Sequence, residues 1–461
     1  MELRDYQTKI IGETRAHMLS GRRSILIRAP TGSGKTLLTA HMLKTAADKG
    51  MASFFIVHRR ELIKQSIRTF SNVGVPHGVV AAGFVEDPRH LVQICSIGTL
   101  VRRFHRLKRP KLVIWDECHH VAATSWAGLY NQYHDAFHIG LTATPERLDG
   151  SGLGQFFETI VHGPEVQWLI ERRFLAPYKM YAPTYLNLSG VHSRMGDFVK
   201  SELATAMDKP SITGDAVREY TKLAAGRRAV VFCVSVEHSK HVVTQFQAAG
   251  FRAEHVDGET PSEQRDSAIK RFETGETQVL CNVDLFGEGF DLPALEVSIL
   301  LRPTQSLGLY LQQVGRALRP SPGKTHAVIL DHAGNCSRHG LPDDVRQWSL
   351  EGREKQSSKQ KQIIKVKVCP KCFAAQATGK PACAQCGHVF ELQPRQVDQV
   401  EGELAEITAK TLKRHDTARH NAKSYEDLVE LGRSRGYRRP ELWAKHVHMY
   451  RVNKQRKKHG S

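Results

Sequence analysis

The sequence predicts an α/β protein built from two tandem parallel-sheet domains, with a small metal-binding module and a basic helical tail behind them. Three observations predict it. Short apolar runs alternate with stretches of helical periodicity over roughly the first 340 residues, the signature of parallel sheets with crossover helices. Only the first set of alternations carries a glycine-rich turn between a strand and a helix. Two Cys-x-x-Cys pairs follow the second set. With 461 residues the chain is too long for one core. The expected boundaries are residues 1–175, 176–345, a linker at 346–368, the cysteine module at 369–390 and the tail at 391–461.

The first domain is organised around Ala29-Pro30-Thr31-Gly32-Ser33-Gly34-Lys35-Thr36. The apolar run Ser24 to Arg28 reads as a buried strand before it, and Leu37 to Ala47 as a helix after it. Strand, glycine turn and helix start together make a phosphate cradle. Gly32 and Gly34 allow the tight turn that aims successive N–H groups at oxygen atoms. Lys35 is placed to reach the β- and γ-phosphates, and the Thr36 hydroxyl to bind Mg²⁺. The strict phosphate-loop pattern has glycine where Ala29 stands. A glycine turn with no ligand is the bland alternative.

Further strands are read at Phe54–Val57, Val92–Cys95, Lys111–Trp115 and Ile139–Thr142. In parallel sheets ligands collect at the carboxyl ends of strands. Asp116-Glu117-Cys118-His119 follows one of them, about 80 residues beyond the loop. Asp116 can hold a Mg²⁺ that bridges phosphates, and Glu117 can orient and deprotonate a water. A solvated acidic turn is the competing reading. His119 is expected to couple this site to another motif, and His120 to fill space.

Glu171 to Pro177 reads as the crossing into the second domain. Tyr181 to Pro210 is less regular and reads as an insertion with its own helix. Strands follow at Ala229–Cys233, Ala253–Val256, Val279–Cys281, Val297–Leu301 and Ala327–Leu330, with no second phosphate loop. One loop in two similar domains implies a nucleotide held between lobes. Asp284 to Pro293 and Gln312 to Pro320 are the segments expected to complete the site. Arg316 and Arg319, three apart, share a face if both lie on a helix. A planar arginine charge suits the oxygens of a transferring phosphoryl group.

These residues resemble the superfamily-two helicases of the DEAD/DEAH group. The resemblance rests on Leu3-Arg4-Asp5-Tyr6-Gln7, the Thr31–Thr36 loop, Asp116-Glu117-Cys118-His119, Leu141-Thr142-Ala143-Thr144-Pro145, Asp284–Pro293 and Gln312–Pro320, in order, over roughly residues 1–335. The continuation Glu146-Arg147-Leu148-Asp149-Gly150 is similar to the branch that holds XPB and the bacterial RadD proteins. The resemblance implies two RecA-like domains and ATP hydrolysis. It implies adenine recognition by Arg4 and Gln7, and nucleotide contacts from Thr31, Gly32, Ser33, Gly34, Lys35 and Thr36. Gly289 would approach the nucleotide closely and Asp291 touch the ribose. Thr142 and Thr144 would couple hydrolysis to movement, and Gln312, Arg316 and Arg319 complete the catalytic set. Arg59, Arg60, Ser96 and Thr99 are candidate contacts to a nucleic-acid backbone. Cys118 departs from the family's third acidic-motif letter.

Cys369, Cys372, Cys383 and Cys386 offer four thiolates, a set that selects Zn²⁺ in a closed structural site. Four unrelated cysteines, or redox pairs, are the alternatives. The module and the tail are similar to RadD-type ends. Residues 432–461 hold ten Lys or Arg and one acid, with Tyr437, Trp443 and Tyr450 interleaved. Basic groups neutralise phosphates and aromatics stack on unpaired bases. A solvated basic helix is the bland reading. The net charge of +19 agrees with a polyanionic partner.

The sequence therefore predicts an ATP-dependent DNA helicase or translocase serving repair, recombination or replication, with ATP, Mg²⁺ and Zn²⁺. Single-stranded or forked DNA is the expected partner; RNA and a single-strand binding protein stay open. An RNA-dependent ATPase, the motor of a restriction or phage nuclease assembly, and a zinc-dependent DNA-binding scaffold with a vestigial ATP fold are the alternatives. No apolar run is long enough to span a bilayer and no signal segment is read, so a cytoplasmic location is expected.

Overall fold

The computed structural model describes residues 2–121, 123–147, 150–182, 191–194, 197–207, 210–285, 295–352, 366–390, 422, 424–434 and 440–456. Its contacts divide into one unit spanning Met1–Phe390 and another spanning Glu391–Ser461. The expected two domains and the cysteine module therefore lie within one compact unit.

The first sheet contains β1 (Ser24–Arg28), β2 (Ser53–Val57), β3 (His77–Val80), β4 (Val92–Ser96), β5 (Leu112–Asp116), β6 (Phe137–Thr142) and β7 (Thr159–His162). Its order is β3-β4-β2-β5-β6-β1-β7, and every pairing is parallel. β1, β2 and β5 are buried at every position, because helices cover both faces. The register sets Arg28 at the end of β1 opposite Thr142 at the end of β6, and Trp115 of β5 opposite Gly140. The loops that leave the carboxyl ends of β1, β5 and β6 thus share one rim.

The second sheet contains β8 (Tyr178–Tyr181), β11 (Ala229–Phe232), β12 (Ala253–Val256), β13 (Val279–Asn282), β14 (Val297–Leu300) and β15 (Ala327–Asp331). Its order is β12-β13-β11-β14-β15-β8, again parallel. Between β8 and β11 lie a short hairpin, β9 (Ser193–Arg194) with β10 (Asp197–Phe198), and the helix Lys200–Met207. That helix is the one expected of the irregular insertion.

The chain passes between the lobes twice. The first crossing ends with the Ala176 N–H donating to Leu318 O at 2.7 Å. The second was expected to be part of the linker. Residues 341–352 leave the second lobe and return to the first. Trp348 lies 5.2 Å from the Arg28 guanidinium, and Leu350 packs with the core around Trp115 and Phe157. Ser151 pairs with Gly352, and the Gly154 N–H donates to Leu350 O at 2.8 Å.

The cysteine module carries its own hairpin, β16 (Val366–Val368) with β17 (Ala375–Ala377). It covers the exposed edge of the second sheet. Tyr181 of edge strand β8 pairs with Ala374, and the Ala182 N–H donates to Phe373 O at 3.0 Å.

In the other unit the helices Tyr425–Ser434 and Pro440–Arg456 pack through Leu428, Val429, Ala444 and Val447. Arg433 pairs with Glu441 at 2.9 Å, an exposed contact that engages one basic residue of 432–461 with the single acid of that stretch. Arg435, Tyr437, Arg438, Arg439, Lys457 and Lys458 lie outside the described residues, as do Leu148 and Asp149.

Candidate active site

The phosphate loop follows β1, and its two glycines carry the left-handed backbone that the turn requires, with φ of 86° at Gly32 and 79° at Gly34. Lys35 and Thr36 open the helix Lys35–Asp48. The Lys35 ammonium donates back to Ala29 O at 3.1 Å, closing the loop on itself. Burial pushes this ammonium below its usual range, while the charges of Glu117 and Asp116 oppose the shift. Arg316 and Arg319 add to the lowering, which places both arginines in the electrostatic field of the loop.

Asp116 ends β5 and Glu117 turns the chain away from it, with both side chains buried. Glu117 has φ of 47°, a left-handed conformation that a non-glycine residue adopts at a cost. Burial, and after it the adjacent Glu117, raise the Asp116 carboxyl to about 6, against the pull of Lys35 and His58. Glu117 Oε2 accepts no hydrogen bond among the described residues and lies 3.5 Å from His119 Nδ1. His119 Nδ1 is also 3.3 Å from Thr142 Oγ1, which bonds both the N–H and the carbonyl of Thr144. His119 thus stands between Glu117 and the Thr142–Thr144 turn. His120 packs at a tilt between His119 and His58, with centroids at 4.3 and 4.9 Å.

A carboxylate and a hydroxyl beside a phosphate cradle are hard oxygen donors, a set that suits Mg²⁺. Asp116 and Thr36 are the residues present for it.

The second lobe reaches this rim through the helix Leu307–Ala317. A methyl group on Gly308 would lie 2.9 Å from Thr144 Oγ1, and one on Gly315 2.7 Å from Thr31 Cβ. Gln312 and Arg316 are buried, and Gln312 Oε1 accepts no hydrogen bond among the described residues. Arg319 departs from the shared helix face expected of it. The helix stops at Ala317 and Arg319 stands beyond it. Pro320 is the reason: the residue before a proline is driven out of the helical region. Arg319 still reaches the loop, with its Cγ 3.6 Å from where a Gly32 methyl would sit.

The remaining expected residues make the following contacts within the chain. The Gln7 amide donates to Ser33 O at 3.0 Å and Gly34 O at 3.3 Å, and its oxygen accepts from the Arg4 N–H at 2.9 Å. It braces the loop from beneath. Tyr6, which motif reasoning passed over, does the same by donating to Ser33 O at 2.7 Å. Arg4 lies over the Phe174 ring at 4.4 Å. Gly289 and Asp291 lie outside the described residues. Of the candidate nucleic-acid contacts, Arg59 donates to backbone carbonyls of the second lobe, and Arg60 lies over Phe84 at 5.6 Å. Thr99 is buried and 3.4 Å from Ser96 Oγ. The glycines Gly150, Gly152 and Gly154, against which residues 350–352 pack, are a spacing that could have signalled the returning segment. They mark close backbone approach.

The four cysteines of the module come together. Their sulfurs all lie within 4.8 Å of one another, with Cys369–Cys386 at 3.7 Å and Cys372–Cys383 at 3.6 Å. Tetrahedral zinc at a Zn–S distance of about 2.3 Å spaces its sulfurs by about 3.8 Å, so the set fits Zn²⁺. All nine cysteines are free thiols.

Comparison with known proteins agrees with this geometry. The family described as "Type III restriction enzyme, res subunit" matches residues 1–147, and "Helicase conserved C-terminal domain" matches residues 213–321. A 51.5 kDa protein of a Lactococcus phage is 38% identical over 84% of this chain and 83% of its own length. The Saccharomyces cerevisiae protein IRC3, assigned provisionally as an ATP-dependent helicase, is 29% identical over 73% of this chain. That match spans 52% of IRC3, so the chain covers about half of that relative. The DNA 3'-5' translocase XPB2 of Sulfurisphaera tokodaii is 24% identical over 69% of this chain and 79% of its own. Among solved structures, a fragment assigned provisionally as the HsdR subunit of a type I restriction enzyme from Vibrio vulnificus shares the fold. Its TM-score is 0.59 at 22% identity, over 76% of this chain and 67% of the fragment.

Proposed function

The chain belongs to the superfamily-two helicases, ATP-hydrolysing enzymes with two RecA-like domains, and from that premise we propose that it is a DNA-directed motor. The observation that carries the reading is the approach of the second lobe to the phosphate loop. Gly315 lies against Thr31, and Arg316 and Arg319 act on Lys35. Such a site turns over when the lobes meet and relaxes when they part.

In this reading Lys35 and the loop amides hold the β- and γ-phosphates. Thr36 and Asp116 would hold Mg²⁺, which would supply positive charge against the phosphate oxygens. Glu117 orients the attacking water and takes its proton, and its buried, unbonded Oε2 suits that task. Arg316 and Arg319 stabilise charge on the transferring oxygens, and Gln312 helps place them. Arg4 takes the base side, Gln7 keeps the loop in shape, and Gly289 and Asp291 take the ribose side. Residues 1–175 and 176–345 are the two motor domains. A zinc-filled module at 369–390 secures the second. The tail at 391–461 adds phosphate contacts in the manner of RadD-type proteins.

DNA is favoured over RNA by the excess of basic residues in a RadD-like tail and by the likeness to a protein named a DNA translocase. The test is ATP hydrolysis measured across single-stranded DNA, duplex DNA, forks and RNA. Stimulation by DNA forms above RNA is expected; stimulation by RNA alone would sink the reading. A second reading, the motor of a restriction or phage nuclease assembly, is favoured by the phage relative and by the restriction-subunit family match. It predicts that this chain alone consumes ATP on duplex DNA and leaves the duplex uncut.

A further inference from the structure

We propose that Arg59 is a positioning residue for ATP hydrolysis, a strut between the lobes and not a nucleic-acid contact. It stands just past β2, at the extended residue that precedes the helix Arg60–Val73. Its guanidinium donates to three acceptors. Nε points to His58 Nε2 at 3.2 Å, which fixes the head against its own lobe. One terminal nitrogen donates to Asp284 O at 3.1 Å and Leu285 O at 3.0 Å, both in the second lobe.

The acceptors are held for this contact. Asp284 has φ of 53°, a left-handed turn just past β13. Its carboxylate pairs with Arg302. Two successive carbonyls therefore face one terminal nitrogen while Nε is held on His58, a fork that a lysine's single ammonium lacks.

The same helix carries two more contacts to the second lobe. Glu61 pairs with Arg265 at 3.3 Å, and Lys64 with Asp266 at 2.7 Å. Glu61 and Arg265 are 18% and 13% exposed, so that pair is shielded; Lys64 and Asp266 are open to solvent and contribute little. Arg59, Glu61 and Lys64 thus line a seam of which Arg59 is the part nearest the sheet rim.

The link to catalysis is mechanical. Arg316 acts on the Lys35 loop only when the lobes are apposed. The second lobe is held there by packing at Gly315 and Gly308, and by this seam. Removing the strut lowers the population of the apposed state and leaves the first-lobe nucleotide contacts intact. It should cut kcat and spare KM. A residue that held a nucleic-acid phosphate would instead lower strand affinity and its salt slope.

The inference rests on the ATPase reading, and its test separates the two. In the full chain, Arg59→Ala should lower kcat by at least about fivefold with KM for ATP within about twofold of the parent. Arg59→Lys, which can reach one carbonyl, should fall between. Affinity for an oligothymidine strand, read without nucleotide over a salt series, should keep its slope. A slope shallower by roughly 0.7, the share of one phosphate contact on a single strand, would overturn the assignment. So would a parental kcat in Arg59→Ala, or a loss of kcat that Arg59→Lys does not relieve at equal thermal stability. A parent that hydrolyses no ATP under any condition would remove the ATPase reading, and the salt slope would still decide whether Arg59 touches the strand.

Discussion

Gly315 of the second lobe faces Thr31 of the phosphate loop so closely that a methyl group on Gly315 would come within 2.7 Å of Thr31 Cβ. The glycine sits inside the helix Leu307–Ala317, where alanine would favour the helix by about 1 kcal/mol. Gly315→Ala should therefore leave thermal stability unchanged or raised. It should also hold the lobes apart by a fraction of an ångström, and misplacement on that scale costs rate steeply. We expect kcat to fall by about tenfold or more. Arg316→Ala should do the same through charge, cutting kcat far more than ATP affinity. Steady-state ATPase beside a thermal melt checks both, and a parental kcat in Gly315→Ala would show that the close approach is not used in turnover.

Glu117→Gln should keep ATP binding and lose turnover by roughly 10²–10⁴-fold, the share of a positioned general base. The substitution is isosteric, so the strained backbone at Glu117 is retained. Lys35→Ala should weaken nucleotide binding as well, because it removes the ammonium that closes the loop on Ala29 O. Nucleotide binding by calorimetry, set beside phosphate release, distinguishes the two variants. If Glu117→Gln turns over at the parental rate, the water is oriented by another group.

The strands of both sheets were legible wherever they lie in the sheet interior. Five apolar runs of the first lobe and five of the second correspond to β1, β2, β4, β5 and β6 and to β11 to β15; strands covered on both faces read as unbroken hydrophobic stretches, and β12, an edge strand, was read although Glu254 and His255 interrupt it. The edge strands β3, β7 and β8 were not read. His77–Val80, Thr159–His162 and Tyr178–Tyr181 are four residues each and mix polar with apolar positions. The meeting of the loop and the acidic pair at one rim was legible because both follow strands of one parallel sheet at their carboxyl ends. What escaped were contacts made by ordinary residues across the lobes. Nothing local to Arg59 says that its partners are the carbonyls of Asp284 and Leu285. Nothing local to Gln7 says that its amide is taken by the loop.

Gly152 lies against the segment that returns from the second lobe. A side chain there would run into Leu350 O and the Glu351–Gly352 peptide, and Gly352 is as tightly placed, 2.6 Å from Gly150 O if given a methyl. Gly152→Val should push residues 348–352 off the first lobe. It should cost roughly 1–3 kcal/mol, the usual price of overpacking. Trp348, held against Arg28, should shift its fluorescence toward the solvent-exposed value. An unchanged melt together with an unchanged Trp348 environment would mean that the second crossing yields at no cost. Because the chain holds other tryptophans, the spectrum is read against Trp348→Phe.

Removal of the metal should reach the second lobe. From the sequence alone the zinc module is an appendage whose loss spares both lobes. The packing argues otherwise. Cys369 and Cys383 are buried in the same cluster as Val297, Val328 and Leu330 of the second sheet. Tyr181 and Ala182 hydrogen-bond or pair with Phe373 and Ala374 along the open edge of β8. Four thiolates held without an ion repel once ionised, and a structural zinc contributes its binding energy to folding. Purified protein should hold one zinc per chain. Cys383→Ser should lower the thermal midpoint of the second lobe and reduce kcat with it, because the helix that carries Arg316 rests on that sheet. ATP binding by the first lobe should survive. Truncation after Phe390 leaves the module in place and should keep basal hydrolysis. It should also weaken DNA affinity and flatten its salt slope by roughly 0.7 to 0.9 for each phosphate that the tail neutralises. If Cys383→Ser binds no zinc yet melts and hydrolyses like the parent, the module is an appendage after all, and the edge of β8 is closed by the hairpin alone.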